Sequence, residues 1–463
     1  MDGLRQDVPP RAVAARPGTR ALFGWVLFDW ATQPFYTLVV TFLFAPYFVN
    51  GFMADPARGA SLWAYATGFA ELIAALLAPV LGAVADVSRR RKPWIAAFSV
   101  LLVAGLCGLW LAVPGRTDLV LFVLVSFGLA TIGAELATVF NNSMMVSLVS
   151  GKRLGTLSGF GWATGYVGGL LSLALVAGFL VTDPDSGKTL FGLPPLLPLD
   201  TATREGDRLV GPFSALWYLV FVLPLFLFTP DGDGEPLRAH AVKAGLAQFV
   251  RSLKDLVRDH SQVALYLLAR MIYIDGLGAV FAFGGIYAAT VFGWGATELG
   301  LFGIVLTIAG TIGALCGGLI DDRVGSKAVI VGALLLFIVG AIAVLSVDPT
   351  HILFVVPVEA KAPGSAPFSS VGEQVYLAFA ILIGLASGPM QSSSRTLLAR
   401  MCPPGKTTEF FGFFSFSGKA TAFAAPLAIG VVTHMTGSQR LGIGTSLIFL
   451  IGGLLLLLRV KAK

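Results

Sequence analysis

The feature that most constrains this chain is a series of apolar segments, repeated along its length, each long enough to cross a lipid bilayer. A stretch of 18 or more apolar residues with few charges reads as a transmembrane helix, because about 20 residues span the hydrocarbon. Twelve such segments are read at 21–50, 61–87, 93–113, 119–149, 154–181, 211–229, 262–292, 297–320, 326–347, 371–400, 407–436 and 440–459. The composition agrees: of 463 residues, 56% are hydrophobic and 13% charged, and the mean hydropathy is +0.82. That is roughly half the charge of an ordinary soluble domain. In lipid the backbone must satisfy its own polar groups, so the expected class is an all-α polytopic membrane protein.

Basic residues orient the spans. With the amino terminus inside, the cytoplasmic segments hold 23 of the 32 Lys and Arg, the outer loops seven, and two (Arg270 and Lys419) fall within spans. Basic loops favour the cytoplasmic side, so both termini are expected there, and the net charge of +6 reflects basic loops rather than a nucleic-acid partner. The chain then divides into a cytoplasmic arm (1–20), a six-helix bundle (21–229), a linker (230–260), a second six-helix bundle (261–459) and a short tail (460–463). The arm is polar, with four Arg and no apolar core, unlike a signal peptide. The linker opens with the helix-breaking run Asp231-Gly232-Asp233-Gly234-Glu235-Pro236. Val242, Leu246, Phe249, Val250, Leu253, Leu256 and Val257 then recur at helical spacing, with Lys243, Arg251, Lys254 and Arg258 between them. Such an amphipathic helix suits the inner leaflet.

The two halves echo each other. Gly82-Ala-Val-Ala-Asp86-Val-Ser-Arg89-Arg90-Arg91-Lys92 follows span two, and Gly318-Leu-Ile-Asp321-Asp322-Arg323-Val-Gly325-Ser-Lys327 follows span eight, 236 residues later. A second echo joins Lys152…Ser158-Gly159-Phe160 to Lys406…Gly412-Phe413-Phe414, with an offset of 254. Parallel repeats imply a central pathway between two bundles. Gly82, Asp86, Arg90, Arg91, Gly318, Asp322, Arg323, Gly325 and Lys327 are therefore read as a cytoplasmic gate. Each Asp would face the basic residues of its own turn and the positive end of a helix in the other half; a solvated loop charge is the plainer alternative.

Two six-helix halves with this loop motif resemble the major facilitator superfamily. The first copy has Arg89 where a turn Gly is usual; the second keeps Gly325 and has Ser326 at a basic position. Finer motifs resemble one branch: Phe28-Asp29-Trp30-Ala31, Arg91-Lys92-Pro93-Trp94, the run from Ser158 to Gly169, the run from Phe281 to Tyr287, Gln391-Ser-Ser-Ser394-Arg395 and Glu409-Phe410-Phe411-Gly412. This is the vacuole-effluxer-like branch, and the similarity runs from about 21 to 436. Span four departs from it, with Asn141-Asn142 and Val146 in place of a Tyr-Asn pair and a Pro. The resemblance implies the major facilitator fold, spans one, four, seven and ten around a cavity, and, for fungal members, amino-acid export from the vacuole.

A charge at the bilayer centre costs about 3 kcal/mol on insertion scales, so intramembrane ionisable groups are functional candidates. Asp29, Glu71, Glu135 and Asp275 are the acids; Arg270, Arg395 and Lys419 are the bases. Four acids against three bases leave one acid without a partner. Asp29, Glu71, Glu135, Arg270 and Asp275 are read as proton-coupling candidates, Glu135 and Asp275 foremost, with static ion pairs as the alternative. Arg270 and Asp275, five apart and so about 140° round the helix, are expected to face different neighbours. Asn141, Asn142, Trp162, Tyr166, Tyr287, Gln391, Ser394, Arg395 and Lys419 are candidates for substrate contact. The Arg395 fork would suit a carboxylate, and helix packing is the alternative for the polar side chains.

No catalytic residue, metal site or cofactor is expected. Cys107, Cys316 and Cys402 have no metal or disulfide spacing, His434 is alone in its span, and the glycines of span five follow no strand that would make them a phosphate loop. The reading is a monomeric secondary transporter in a bacterial plasma (inner) membrane, moving a small polar solute with a proton. A lipid or drug carrier of the same fold, or a non-transporting sensor or scaffold, is the alternative.

Overall fold

Apolar segments in lipid close their hydrogen bonds as helices, and the computed structural model is a bundle of them. It describes residues 18–461 apart from 184–185, 235–238 and 363. The first seventeen residues of the arm, Glu235, Pro236, the last two residues of the tail, and the side chains of Val242, Lys243 and Leu246 lie outside the described residues. Eleven helices among those described are long and apolar enough to cross a membrane: Thr19–Phe52, Pro56–Ser88, Lys92–Leu111, Thr117–Leu148, Gly151–Phe179, Glu205–Phe228, Ser261–Phe292, Thr297–Val324, Ser326–Leu345, Val371–Met401 and Gln439–Arg459. They are spans one to ten and twelve, and the chain is a multi-pass membrane protein. The long loop between spans nine and ten carries a small antiparallel ribbon, His351–Ile352 with Val356–Pro357.

Span eleven, expected as one helix over 407–436, is broken. It forms two half-helices, Thr407–Ser417 and Ala424–Thr436, joined by turns at 418–423. The cause is a buried cation. Gly418 N–H donates to Ser415 O at 3.1 Å, which frees the Phe414 carbonyl. Arg270 Nη1 donates to that carbonyl at 2.7 Å and to Ser417 Oγ at 2.9 Å, and its guanidinium lies 3.5 Å from the Phe414 ring centroid. A Cβ on Gly418 would stand 2.8 Å from Arg270 Nη1. Glycine thus admits the guanidinium, which together with Ser417 Oγ at 2.8 Å satisfies the freed carbonyl of the half-helix.

Span one is also irregular. After Thr19–Pro34 it widens into π-turns at Phe35–Phe42 and Phe48–Phe52. Leu43 N–H reaches back five residues to Leu38 O at 3.0 Å. Pro34 has no N–H to give, and a wide turn absorbs the defect. Span six starts at Glu205 rather than 211, because its charges are satisfied at the outer end. Arg204 meets Asp207 at 2.7 Å, and Arg208 Nε donates to Trp110 O at 2.8 Å.

The halves meet along two pseudo-equivalent crossings at the Lys/Arg-rich end, called inner below after the orientation expected from the basic residues. Span two packs on the first half-helix of span eleven, and span eight packs on span five. Glycines set both crossings: a Cβ on Gly82 would lie 2.6 Å from Thr408 O, and one on Gly318 would lie 2.6 Å from Gly155 O. Small residues let membrane helices approach to backbone contact. The crossings also correct the second repeat. Gly159 and Gly412 occupy matching places against Gly318 and Ala78–Pro79, so the offset is 253 rather than 254, a register that sequence similarity left one residue out.

Candidate functional site

At the inner end, two aspartates each clasp the start of a helix in the opposite half. Asp86, whose side chain is fully buried, accepts Thr408 N–H at 3.0 Å and Glu409 N–H at 2.9 Å. Asp322 accepts Gly155 N–H and Thr156 N–H, both at 2.8 Å. The first N–H groups of a helix have no partner within it and carry its positive end, so a carboxylate seats there readily. Charge-assisted bonds of this kind are short and strong.

The basic partners are not all those the turns suggest. Arg91 faces Asp86 at 3.5 Å and donates from Nε to Thr408 Oγ1 at 3.3 Å. Arg90 is turned toward Asp231, at 4.0 Å and 41% exposed. Arg323 is exposed. Lys327 donates to the Leu458 and Val460 carbonyls at 2.9 and 2.7 Å, closing the end of span twelve. The expectation that Arg90, Arg323 and Lys327 face the gate aspartates is corrected by helix geometry. The residue after Asp322 points about 100° away. Arg400 of span ten takes that place instead, 3.2 Å from Asp322 and 2.7 Å from Asp321. Arg89 adopts φ +56°, the left-handed turn, at a cost of about 1 kcal/mol; Gly325, at φ +92°, bears no such strain.

Deeper in the membrane the contacts are ionic and one-sided. Arg395 crosses from span ten into the first half, where Nε meets Ser158 Oγ at 2.9 Å, Nη2 the Ser158 carbonyl at 2.8 Å, and Nη1 both Asn142 Oδ1 at 2.8 Å and Asp29 Oδ2 at 3.2 Å. Its guanidinium also lies 4.9 Å from the Trp25 ring centroid. Gly161 makes the room, since a Cβ there would stand 2.5 Å from Asp29 Oδ2 and 2.9 Å from Arg395 Nη2. The reading of Arg395 as a free fork for a ligand carboxylate is corrected for this conformation: protein groups fill the fork.

Lys419 sits in the break of span eleven. Its Nζ lies 2.9 Å from Glu71 Oε1 and 3.2 Å from Glu135 Oε1. Tyr36, in the π-turn of span one, donates to the same Glu135 oxygen at 3.2 Å. Asp29, Glu71 and Glu135 all belong to the first half, and both cations that pair with them belong to the second. Arg270 meets carbonyl and hydroxyl rather than acid, and Asp275, which is buried, is the one of the four candidate acids with no cation partner among the described residues. Arg270 and Asp275 do not pair with each other.

A cavity of about 150 Å³ lies between the halves, outward of the clasps, lined among others by Gln33, Tyr36, Thr37, Tyr166, Ile304 and Thr307. Its walls are spans one, five and eight rather than one, four, seven and ten. Spans five and eight touch at Gly159 and Gly318 and diverge beyond them. Tyr166 lines the cavity, takes a 3.4 Å bond from Gln391 Nε2, and stands 5.8 Å, centroid to centroid, from Trp162. Asn142 is spent on Arg395, and the buried Asn141 side chain has no hydrogen-bond partner among the described residues. Two candidates lie elsewhere. Ser394 faces its own half, bonded to Tyr273 Oη at 2.7 Å, while its carbonyl accepts from Tyr266 at 2.6 Å. Tyr287 is buried near the outer surface and accepts from Arg440 Nε at 3.1 Å. Tyr36, Ser158, Asp321 and Arg400 escaped the sequence reading. Ser158 and Asp321, each inside a quoted motif, carried a signal; Tyr36 and Arg400 carried none.

The sequence family described as "Vacuole effluxer Atg22 like" matches residues 49–463. The chain belongs to this family. The "Uncharacterized MFS-type transporter YxiO" of Bacillus subtilis is 22% identical over 94% of this chain and 93% of its own length. "Autophagy-related protein 22" of Cryptococcus neoformans is 26% identical over 55% of this chain, and the match spans 44% of the fungal protein. The fold is that of the major facilitator superfamily. The transporter FucP in the outward conformation superposes with a TM-score of 0.70 at 14% identity, covering 96% of this chain and 99% of FucP. A bacterial homologue of the iron transporter ferroportin, in an outward-facing state, gives 0.67 at 15% identity, covering 96% and 99%.

Proposed function

We propose that this protein is a proton-coupled secondary transporter of a small polar solute, an amino acid or similar metabolite, working by alternating access as a monomer in a bacterial plasma membrane with both termini in the cytoplasm. One observation carries the reading. The cavity wall residue Tyr36 is bonded to Glu135, and Glu135 is paired across the two halves with Lys419. Any rocking of the halves that parts Lys419 from Glu135 leaves a largely buried carboxylate, 14% exposed here, without that cation. Such a carboxylate takes up a proton, since an unpaired buried charge is far costlier than a neutral acid. Closing the halves returns Lys419 and expels the proton. Proton occupancy is thereby tied to the state of the pathway.

The rest of the molecule fits this cycle. The clasps at Asp86 and Asp322 close the inner end, and each is a discrete contact that is made or broken, as a two-state element requires. The Asp29–Arg395 pair, with Asn142 and Ser158, is a second inner seal whose release would present Arg395 to a carboxylate ligand. The cavity is below the roughly 300–1,000 Å³ of drug-sized ligand sites, which favours a small solute over a lipid or drug. The family and the bacterial relative matched over 93% of its length support transport; the cargo class rests on the polar lining and the buried charges. Uptake of a pooled amino-acid mixture into proteoliposomes, with and without a pH gradient, tests it. Gradient-dependent accumulation of pool members is the expected result, and no accumulation of any member would overturn the assignment.

A further inference from the structure

The linker helix, Ala239–Arg258, does more than tether the halves. One face is docked on the inner gate. Gly245 lies against the span two backbone, where a Cβ would be 2.5 Å from Val84 Cα. The Phe249 ring packs on Phe413, centroids 6.1 Å apart. Gln248 Nε2 and Ser252 Oγ both donate to Glu409 Oε2 at 3.0 Å, and Lys406 meets Asp255 at 3.5 Å. Glu409 is the residue whose backbone N–H Asp86 accepts. The helix therefore grips the half-helix that the first clasp holds.

The remaining circumference is divided in two. Val250, Leu253 and Val257 are 55%, 51% and 71% exposed, and their spacing makes one stripe. Arg251, Lys254 and Arg258, also exposed, form a second stripe about 100° further round. The helix thus shows three faces: one on the gate, one apolar and one basic. An apolar stripe beside a cationic one, at the basic end of a membrane protein, matches the boundary of an anionic leaflet, where acyl chains and negative headgroups lie side by side.

We propose that this helix is a contact site for anionic phospholipid, and that lipid bound there steadies the closed inner gate through Glu409. This rests on the gate reading of Asp86 and adds to it a ligand class and a route. Lipid that fixes the helix against the membrane holds Gln248 and Ser252 on Glu409, and so presents the Glu409 N–H to Asp86. A ligand that binds one conformation better shifts the balance by that difference alone. Neutral lipid gives the apolar stripe the same burial but adds no counter-charge to the basic stripe, of which, among the described residues, Arg258 alone has an acid beside it, Asp259 at 3.5 Å.

The test uses the full chain with Cys107 and Cys316 replaced by Ser, leaving Cys402, at the inner gate, as the reporter thiol. The protein is reconstituted in phosphatidylcholine vesicles with or without phosphatidylglycerol, and Cys402 alkylation by a maleimide is timed. Phosphatidylglycerol is expected to slow labelling several-fold, and the variant Arg251→Gln/Lys254→Gln/Arg258→Gln is expected to label at one rate in both lipids. Equal lipid dependence in variant and parent would overturn the proposal, as would faster labelling in phosphatidylglycerol. A second measurement is independent of the gate. A bimane on Val257→Cys, in a chain whose three native cysteines are replaced by Ser, is expected to be quenched more by brominated phosphatidylglycerol than by brominated phosphatidylcholine. Equal quenching would refute the lipid site itself. Selective quenching without a change in Cys402 labelling would leave a lipid site and refute its control of the gate. Asp86→Asn serves as the control for the gate reading: if it leaves labelling unchanged in both lipids, that reading fails on its own account.

Discussion

The inner gate and the charge layer behind it join the same two halves by opposite designs. At the gate the contact is nearly two-fold. An aspartate at the end of span two seats on the first half-helix of span eleven, and an aspartate at the end of span eight seats on span five, each through a pair of backbone N–H groups at 2.8–3.0 Å. In the charge layer nothing is symmetric: two cations, Arg395 and Lys419, reach from the second half to acids held by the first. A symmetric contact opens and closes as a whole and carries no sign. An asymmetric one changes the charge balance of the pathway when it opens, which coupling to a proton demands. Under the proposed function, this difference would give switching to the clasps and coupling to the ion pairs.

The comparison breaks first at Glu135. Glu135→Gln cannot load a proton, and gradient-driven accumulation is expected to fall by about 10²-fold or more, in line with loss of a proton-transfer group, while solute exchange without a gradient persists. Uptake and counterflow on the same vesicles check this; loss of both together would mean a structural role. Arg395→Lys comes next. Lysine keeps the charge but not the fork that meets Ser158, Asn142 and Asp29 at once. Breaking a buried network of this kind costs about 3–5 kcal/mol when one partner is removed. The conservative change is expected to lower thermal stability clearly, while Glu135→Gln lowers it little.

The gate variants sharpen the other side. Burial, with the Asp86 charge adding to it, holds the Cys402 thiol well above the usual cysteine range, so it reacts slowly while the gate is closed. Asp86→Asn removes a charge-assisted contact worth about 1.5–3 kcal/mol, and Cys402 alkylation is expected to rise about tenfold or more, since 1.4 kcal/mol is tenfold. Because the lost Asp86 charge also eases ionisation of the thiol, opening is read from the rise at a pH where the thiol is fully ionised in both chains. Asp322→Asn is expected to raise it less, because Arg400 and Asp321 stay engaged with each other. Near-equal effects would mean that the two clasps open as one unit.

The smallest expected effect lies outside both regions. Burial works to raise the Asp348 carboxyl but is outweighed by bonds from Thr350 N–H, Thr350 Oγ1 and His351 N–H and by Arg440, which together hold it at about 2. A carboxylate so lowered adds stability that is complete above its unfolded value of about 3.9 and is lost as pH falls toward 2. Melting curves between these pH values are expected to drop slightly for the parent chain and to lose that part of the drop in Asp348→Asn.

Much of this was legible in the residues. Span positions follow from hydropathy, and the Asp86 and Asp322 clasps follow from a spacing that repeats. The intramembrane charges were all visible, as was the surplus of one acid. What the sequence withheld was pairing. Asp29 and Arg395 are 366 residues apart, and nothing local says which acid Lys419 will meet. Arg400 was hidden because it ends a span and counts as a loop charge. The break in span eleven was hidden because Gly418 and Thr421 are tolerated in membrane helices; only Lys419 beside Gly418 in an apolar run hinted at it. Docking of the linker helix on Glu409 depends on side-chain hydrogen bonds that an amphipathic pattern does not encode.

The central claim is that the pairing of Glu135 with Lys419 links solute movement to a proton. The most direct measurement is internal pH in proteoliposomes, read by a trapped dye, when the amino-acid pool is added outside at equal starting pH and with membrane potential clamped. A pH change is expected to accompany solute entry in the parent chain and to be absent in Glu135→Gln. Solute entry with no pH change in the parent chain, or an undiminished pH change in the variant, would contradict it.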